Sequence, residues 1–116
     1  MDCHVEIDLG QNLFRDVILS FRVNSDEIIM DYTDMEKEDI ILDKLSSFQK
    51  IEFSDSNPLQ ITLVGPNISR SFKFQDEDSL SSFFSYLQQF VSFESISGMS
   101  RAYLISPLTK YDSKIT

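Results

Sequence analysis

The sequence predicts an α+β fold: an antiparallel β-sheet with one amphipathic helix in the C-terminal part of the chain. Three observations carry this. In short segments up to Phe74, apolar residues alternate with polar ones, the period of half-buried strands. Clusters of Gly, Asn, Ser, Asp and Pro, the residues that turns require, separate these segments. A single stripe at helical spacing then runs from Leu80 to Val91.

The first strand is His4-Val5-Glu6-Ile7-Asp8-Leu9, which alternates without an error, and Gly10-Gln11-Asn12 reads as the turn after it. Val17, Leu19, Phe21 and Val23 form a second series, Asn24-Ser25-Asp26 a second turn, and Ile28, Met30 and Tyr32 a third strand. Their near-contiguity predicts a meander. Thr33 to Asp39 is polar and acidic and is expected to be a loop. Ile40, Ile41, Leu42, Leu45 and Phe48 fit either a helical turn or a strand with a bend. Alternation resumes at Lys50-Ile51-Glu52-Phe53 and stops at Ser54-Asp55-Ser56-Asn57-Pro58. A hairpin follows, with Leu59, Ile61 and Leu63 facing Ile68, Phe72 and Phe74 across Gly65-Pro66-Asn67. Arg70 interrupts that apolar face, so it is expected at the sheet rim with its stem packed and its head in water.

Asp76-Glu77-Asp78 opens the helix, placing acids at the positive end of its dipole. Leu80, Phe83, Phe84, Leu87, Phe90 and Val91 form its apolar face; Ser81, Ser82, Ser85 and Gln88 form the other. Serine is a mediocre helix former, so packing of the stripe must hold this helix more than propensity does. If the Phe84 ring is fully buried, Phe84→Ala is expected to cost roughly 3–5 kcal/mol. Ser97-Gly98 ends the segment, Arg101-Ala102-Tyr103-Leu104-Ile105 reads as a last strand, and Pro107 stops it.

The 116 residues suit one domain, expected over 1–107, with 108–116 as a mobile tail. Ten Phe and no Trp suit a sheet closed over a helix, because Phe carries no polar atom to satisfy. One cysteine, Cys3, allows no internal disulfide, and Met1 to Arg15 lacks the apolar core of a signal peptide. A cytoplasmic setting and no membrane insertion are expected.

The formal net charge is −9, unevenly spread. Asp26, Glu27, Asp31, Asp34, Glu36, Glu38, Asp39 and Asp43 face one base, Lys37, so this stretch alone carries −7. Such a field repels nucleic acid and attracts basic protein surfaces. Asp31, Asp34, Glu36, Glu38 and Asp39 are therefore the candidate partner-binding residues. The plainer alternative is a solvated, disordered loop that keeps the domain soluble.

Residues suited to catalysis are sparse. The lone His4 adjoins the lone Cys3, and neighbours on a strand point to opposite faces, so they cannot act as a pair. Adjacent ligands also fail the spacing of a structural zinc site. Gly10, Gly65 and Gly98 are isolated, which rules out a glycine-rich phosphate loop. The acids lie in a charged run without the central glycine of a calcium loop. No catalytic residue, metal or cofactor is assigned, and the chain is expected not to be an enzyme.

Strands, a hairpin and then a helix is the order of a pleckstrin-homology-like (PH-like) domain, which implies a bent antiparallel β-sheet or barrel capped by one C-terminal amphipathic helix. From Leu59-Gln60-Ile61-Thr62-Leu63-Val64 through Arg70-Ser71-Phe72-Lys73-Phe74-Gln75 and the helix to Arg101-Ala102-Tyr103-Leu104-Ile105, the chain resembles one family. It is the N-terminal PH-like, Rab-binding domain that precedes the catalytic domain in a group of TBC-type Rab GTPase-activating proteins. The resemblance implies a single PH-like domain over 1–107, a Rab-type small GTPase or other protein as partner, and Phe83 or Phe84 where such helices often carry Trp. The arginine and glutamine motifs of the TBC catalytic domain do not appear, so it implies the non-catalytic part. Two other readings stand beside it: a phosphoinositide-binding PH domain, which needs clustered cations where the first hairpin offers Arg15 alone, and a small enzyme of unknown type.

Overall fold

A computed structural model describes residues 2–8, 13–25, 27–34, 36–37, 39–98 and 101–107. The expected turn at Gly10-Gln11-Asn12 and the expected tail at 108–116 lie outside the described residues, as does Glu38. The elements are β1 (Asp2–Asp8), β2 (Phe14–Asn24), β3 (Glu27–Asp34), β4 (Asp39–Lys44), a 3₁₀ turn (Leu45–Ser47), β5 (Lys50–Phe53), β6 (Gln60–Val64) and β7 (Ser69–Phe74). They continue with α1 (Glu77–Leu87), β8 (Val91–Ser95) and β9 (Ala102–Pro107). The strands form one sheet in the order β4-β3-β2-β1-β7-β6-β5-β9-β8, and every pair is antiparallel.

Two meanders, β1–β4 and β5–β7, meet where β1 pairs with β7. Val5 and Ile7 of β1 point inward while His4 and Glu6 point out, as their alternation requires. The sheet is strongly bent. Tyr32 of β3 and Phe72 of β7 have ring centroids 5.7 Å apart, although a flat sheet would hold strands three steps apart at about 14 Å. Bending brings the inward side chains into one core with Leu45 and Phe48 of the 3₁₀ segment and Phe83 and Leu87 of α1.

The helix starts as expected, with Asp76 accepting from the Ser79 amide at 2.8 Å as its N-cap. It is shorter than the stripe suggests. Gln89 and Phe90 donate to the Tyr86 and Leu87 carbonyls, tightening the last turn. Val91 then opens β8, a strand that the continuing apolar phase concealed; β-branched Val91 and aromatic Phe93 suit that sheet edge. The last strand expected at 101–105 is present as β9, and the unexpected β8 pairs with it, so a β8–β9 hairpin follows the helix and pairs through β9 with β5. The buried ring is Phe83, not Phe84: Phe83 packs on Phe21, Phe72 and Phe74, whereas Phe84 is half-buried and stacks on Phe53.

Residues 40–48 satisfy both readings in turn, as β4 and then the 3₁₀ segment. That segment lies under the β6–β7 turn, where Gln49 donates to the Val64 carbonyl at 2.7 Å. A Cβ on Gly65 would lie 1.9 Å from the Ser47 carbonyl oxygen, so Gly65 is required by close backbone approach. We expect Gly65→Ala to destabilise by about 1–3 kcal/mol through forced displacement of that backbone. Denaturant unfolding measures this, and an unchanged midpoint would mean that the two segments do not touch.

Candidate functional site

The acidic segment 33–39, expected as a loop, is one only in its middle: Glu36 and Lys37 lie in a turn, while Thr33, Asp34 and Asp39 belong to the strands of a β-hairpin. β3 runs through Asp34, β4 begins at Asp39, and these two residues pair. Their strands hold because Met30 and Tyr32 fill the core while β4 hydrogen-bonds alongside. Charge density without Gly or Pro resembles a loop in the sequence, yet it caps a tight turn here.

The five candidate acids do different work. Asp34 is buried on the inward face of the sheet. Its Oδ2 accepts from Arg15 Nη2 at 2.6 Å and Nε at 3.0 Å, while Oδ1 accepts from the Glu36 and Lys37 amides at 3.0 and 3.1 Å. Asp34 thus shapes the hairpin tip and ties it to β2. The Arg15 hydrogen bond, followed by those of the turn amides, lowers its carboxyl pKa below the ordinary value. Asp31 lies on the outward face, 3.3 Å from Arg22. Glu36 and Asp39 are exposed, and Asp39 reaches the Arg15 guanidinium only at 3.9 Å. Glu38 lies outside the described residues.

The Asp34 shift has a definite consequence in acid. Because its folded value lies below its unfolded one, the Arg15 pair contributes in full above the ordinary carboxylate range. That stability is lost as pH falls through the folded value. We expect Asp34→Asn to lower stability at neutral pH and to flatten the acid limb of the stability–pH profile. Parallel acid limbs in the two proteins would contradict the pairing.

A second ion pair went unrecognised in the sequence. Arg70 donates through Nε to Asp43 Oδ2 at 2.9 Å and through Nη2 to Oδ1 at 3.3 Å. Its head is therefore not in water, because the bend brings β4 over the end of β7. The signal was available: Arg15, Arg70, Asp34 and Asp43 all fall in phase with inward apolar positions, where a charge requires a partner. Beside this pair, the buried Tyr32 hydroxyl approaches Asp43 without good hydrogen-bond geometry. Burial, and next the Asp43 charge, push its phenol well above the ordinary value.

Cations elsewhere are largely occupied. Lys44 and Lys50 meet Glu27 and Glu52, while Lys73 and Arg101 lie over the Phe14 and Phe53 rings. Among the described residues only Lys37 lacks such a partner. Around the hairpin tip, Ile40 and Leu42 project outward from β4 with 64% and 52% of their surface exposed. Ile29 shares that outward face but is covered, flanked by Arg22 and Lys44 on the neighbouring strands.

Cys3 is buried and His4 exposed, on opposite faces of β1, with His4 against Gln75 and Asp16. Among the described residues no cluster of His, Cys, Asp or Glu is arranged to hold a metal ion, and no helix is long and apolar enough to cross a membrane. Comparison with known protein families, curated proteins and solved structures finds no match to this chain.

Proposed function

We propose that this chain is a non-catalytic, PH-like interaction domain of the cytoplasm that binds a protein partner through that partner's basic surface. The observation that carries the reading is the end of the β3–β4 hairpin. There the exposed acids Glu36 and Asp39 adjoin the exposed Ile40 and Leu42 on an edge strand. Acids at the rim of an apolar patch steer a cationic partner, and the patch supplies contact area once it arrives. The resemblance of the second half of the chain points to a Rab-type small GTPase as the partner class. Support for the PH-like assignment comes from a bent antiparallel meander with α1 directly after β7, although the β8–β9 hairpin lengthens the sheet beyond that pattern.

The phosphoinositide reading has less support, because Arg15 is already held by Asp34. Binding of purified Rab-type GTPases, run beside sedimentation with phosphoinositide vesicles at physiological salt, separates the two. The expected result is binding to a GTPase and none to vesicles, as repulsion from a net charge of −9 requires. Sedimentation with vesicles that disappears in Arg15→Ala, without GTPase binding, would replace this reading with the lipid one.

A further inference from the structure

β4 ends the sheet, so one side of its backbone pairs with β3 while the other, among the described residues, has no strand paired to it. Natural edge strands are protected by being short, bulged, covered or charged, and an uncovered apolar edge invites another strand. Here Ile40 and Leu42 stand uncovered on the outward face of the edge, and the exposed Asp39 lies in phase with Ile41 and the buried Asp43 on the inward one. We propose that β4 takes up an additional β-strand, an extended segment of a partner protein in which aliphatic residues alternate with Lys or Arg.

The alternation follows from the pleat. A strand laid beside β4 sends every second side chain over Ile40 and Leu42, where aliphatic groups remove apolar surface from water. The intervening side chains point toward Asp39 and the Glu36 end of the turn, where cations are favoured. Charge also selects among occupants. A second copy of this chain would set its own exposed Glu36 and Asp39 against these acids, so the charges that admit a basic strand oppose self-pairing. The inference rests on the proposed role of the hairpin as the partner-binding element.

The probe is a short peptide of alternating Lys and Val, compared with a version N-methylated at alternate backbone nitrogens. The two share charge and side chains, but the second cannot donate to a strand edge. Fluorescence anisotropy reads affinity, and amide hydrogen exchange reads protection at 39–44. We expect the first peptide to bind and to slow exchange along β4, and the methylated one to bind at least about tenfold more weakly, as loss of two or three net hydrogen bonds requires. Ile40→Lys with Leu42→Lys, both exposed and checked for folding by circular dichroism, should lose binding similarly. Equal affinities of the two peptides would overturn strand addition while leaving an acid-steered surface in place. Binding of a partner protein but of neither peptide would also overturn it, and binding of nothing would remove the parent reading too. A dimer dissolved by Ile40→Lys would assign the edge to a second copy and so overturn the basic segment.

Discussion

Phe83→Ala is expected to lower stability by about 3–5 kcal/mol, a large part of what a domain of this size has to lose. The Phe83 ring is fully buried and lies 5.7 Å from Phe21, 6.3 Å from Phe72, 5.1 Å from Phe74 and 6.0 Å from Phe84. Those rings belong to β2, β7 and α1, so one side chain joins the helix to both meanders. Truncation removes the transfer free energy of the ring and leaves a cavity that the strands, fixed by their hydrogen bonds, cannot close. Phe84→Ala is expected to cost less, because its half-buried ring faces Phe53 and Phe93 at the edge of the core. Chemical denaturation of the two variants ranks them. A larger loss for Phe84 would place the helix a residue out of phase.

Arg70→Ala is expected to be comparably damaging, at about 3–5 kcal/mol, for an electrostatic reason. It leaves the Asp43 carboxylate, whose side chain is 6% exposed, without its cation beside the buried Tyr32 hydroxyl. Much of the cost is this stranded charge, not the intrinsic worth of the pair. Replacing both partners, as in Arg70→Met with Asp43→Leu, is therefore expected to recover most of the loss. If Arg70→Ala unfolds at the same denaturant concentration as the parent, or the double variant is worse than the single, the bend that brings β4 to β7 is misplaced.

The strands were legible wherever one face is buried and the other wet. The pleat writes that difference into the sequence of β1, β2, β3 and β6–β7 residue by residue. β8 was not legible, because Phe90 and Val91 extend the helical phase of Leu80, Phe83 and Leu87, and periodicity cannot report where hydrogen bonding changes. The acidic hairpin was hidden for a related reason. Its turn is built by the Asp34 carboxylate on two amides and not by Gly or Pro, and its anchor Arg15 lies 19 residues away. Arg70 and Asp43, 27 residues apart, could be joined only once the sheet was known to bend. Of the candidate acids, the sequence located the region but could not divide those committed to structure, Asp34 and Asp31, from those facing solvent, Glu36 and Asp39.

That division makes the central claim measurable. Association rates with a Rab-type GTPase or another basic partner are compared for the parent chain, a Glu36→Gln/Asp39→Asn variant and an Asp31→Asn variant, at low and high salt. Long-range charge acts mainly on encounter, and salt screens it over roughly 8 Å at physiological ionic strength. The account predicts that the Glu36/Asp39 variant associates about tenfold more slowly than the parent at low salt, with dissociation little changed. High salt should bring the parent down to the variant's rate, and Asp31→Asn, whose charge already faces Arg22, should slow association less. Equal association rates for all three proteins at both salt concentrations would contradict a steering role and leave the hairpin acids as surface charge.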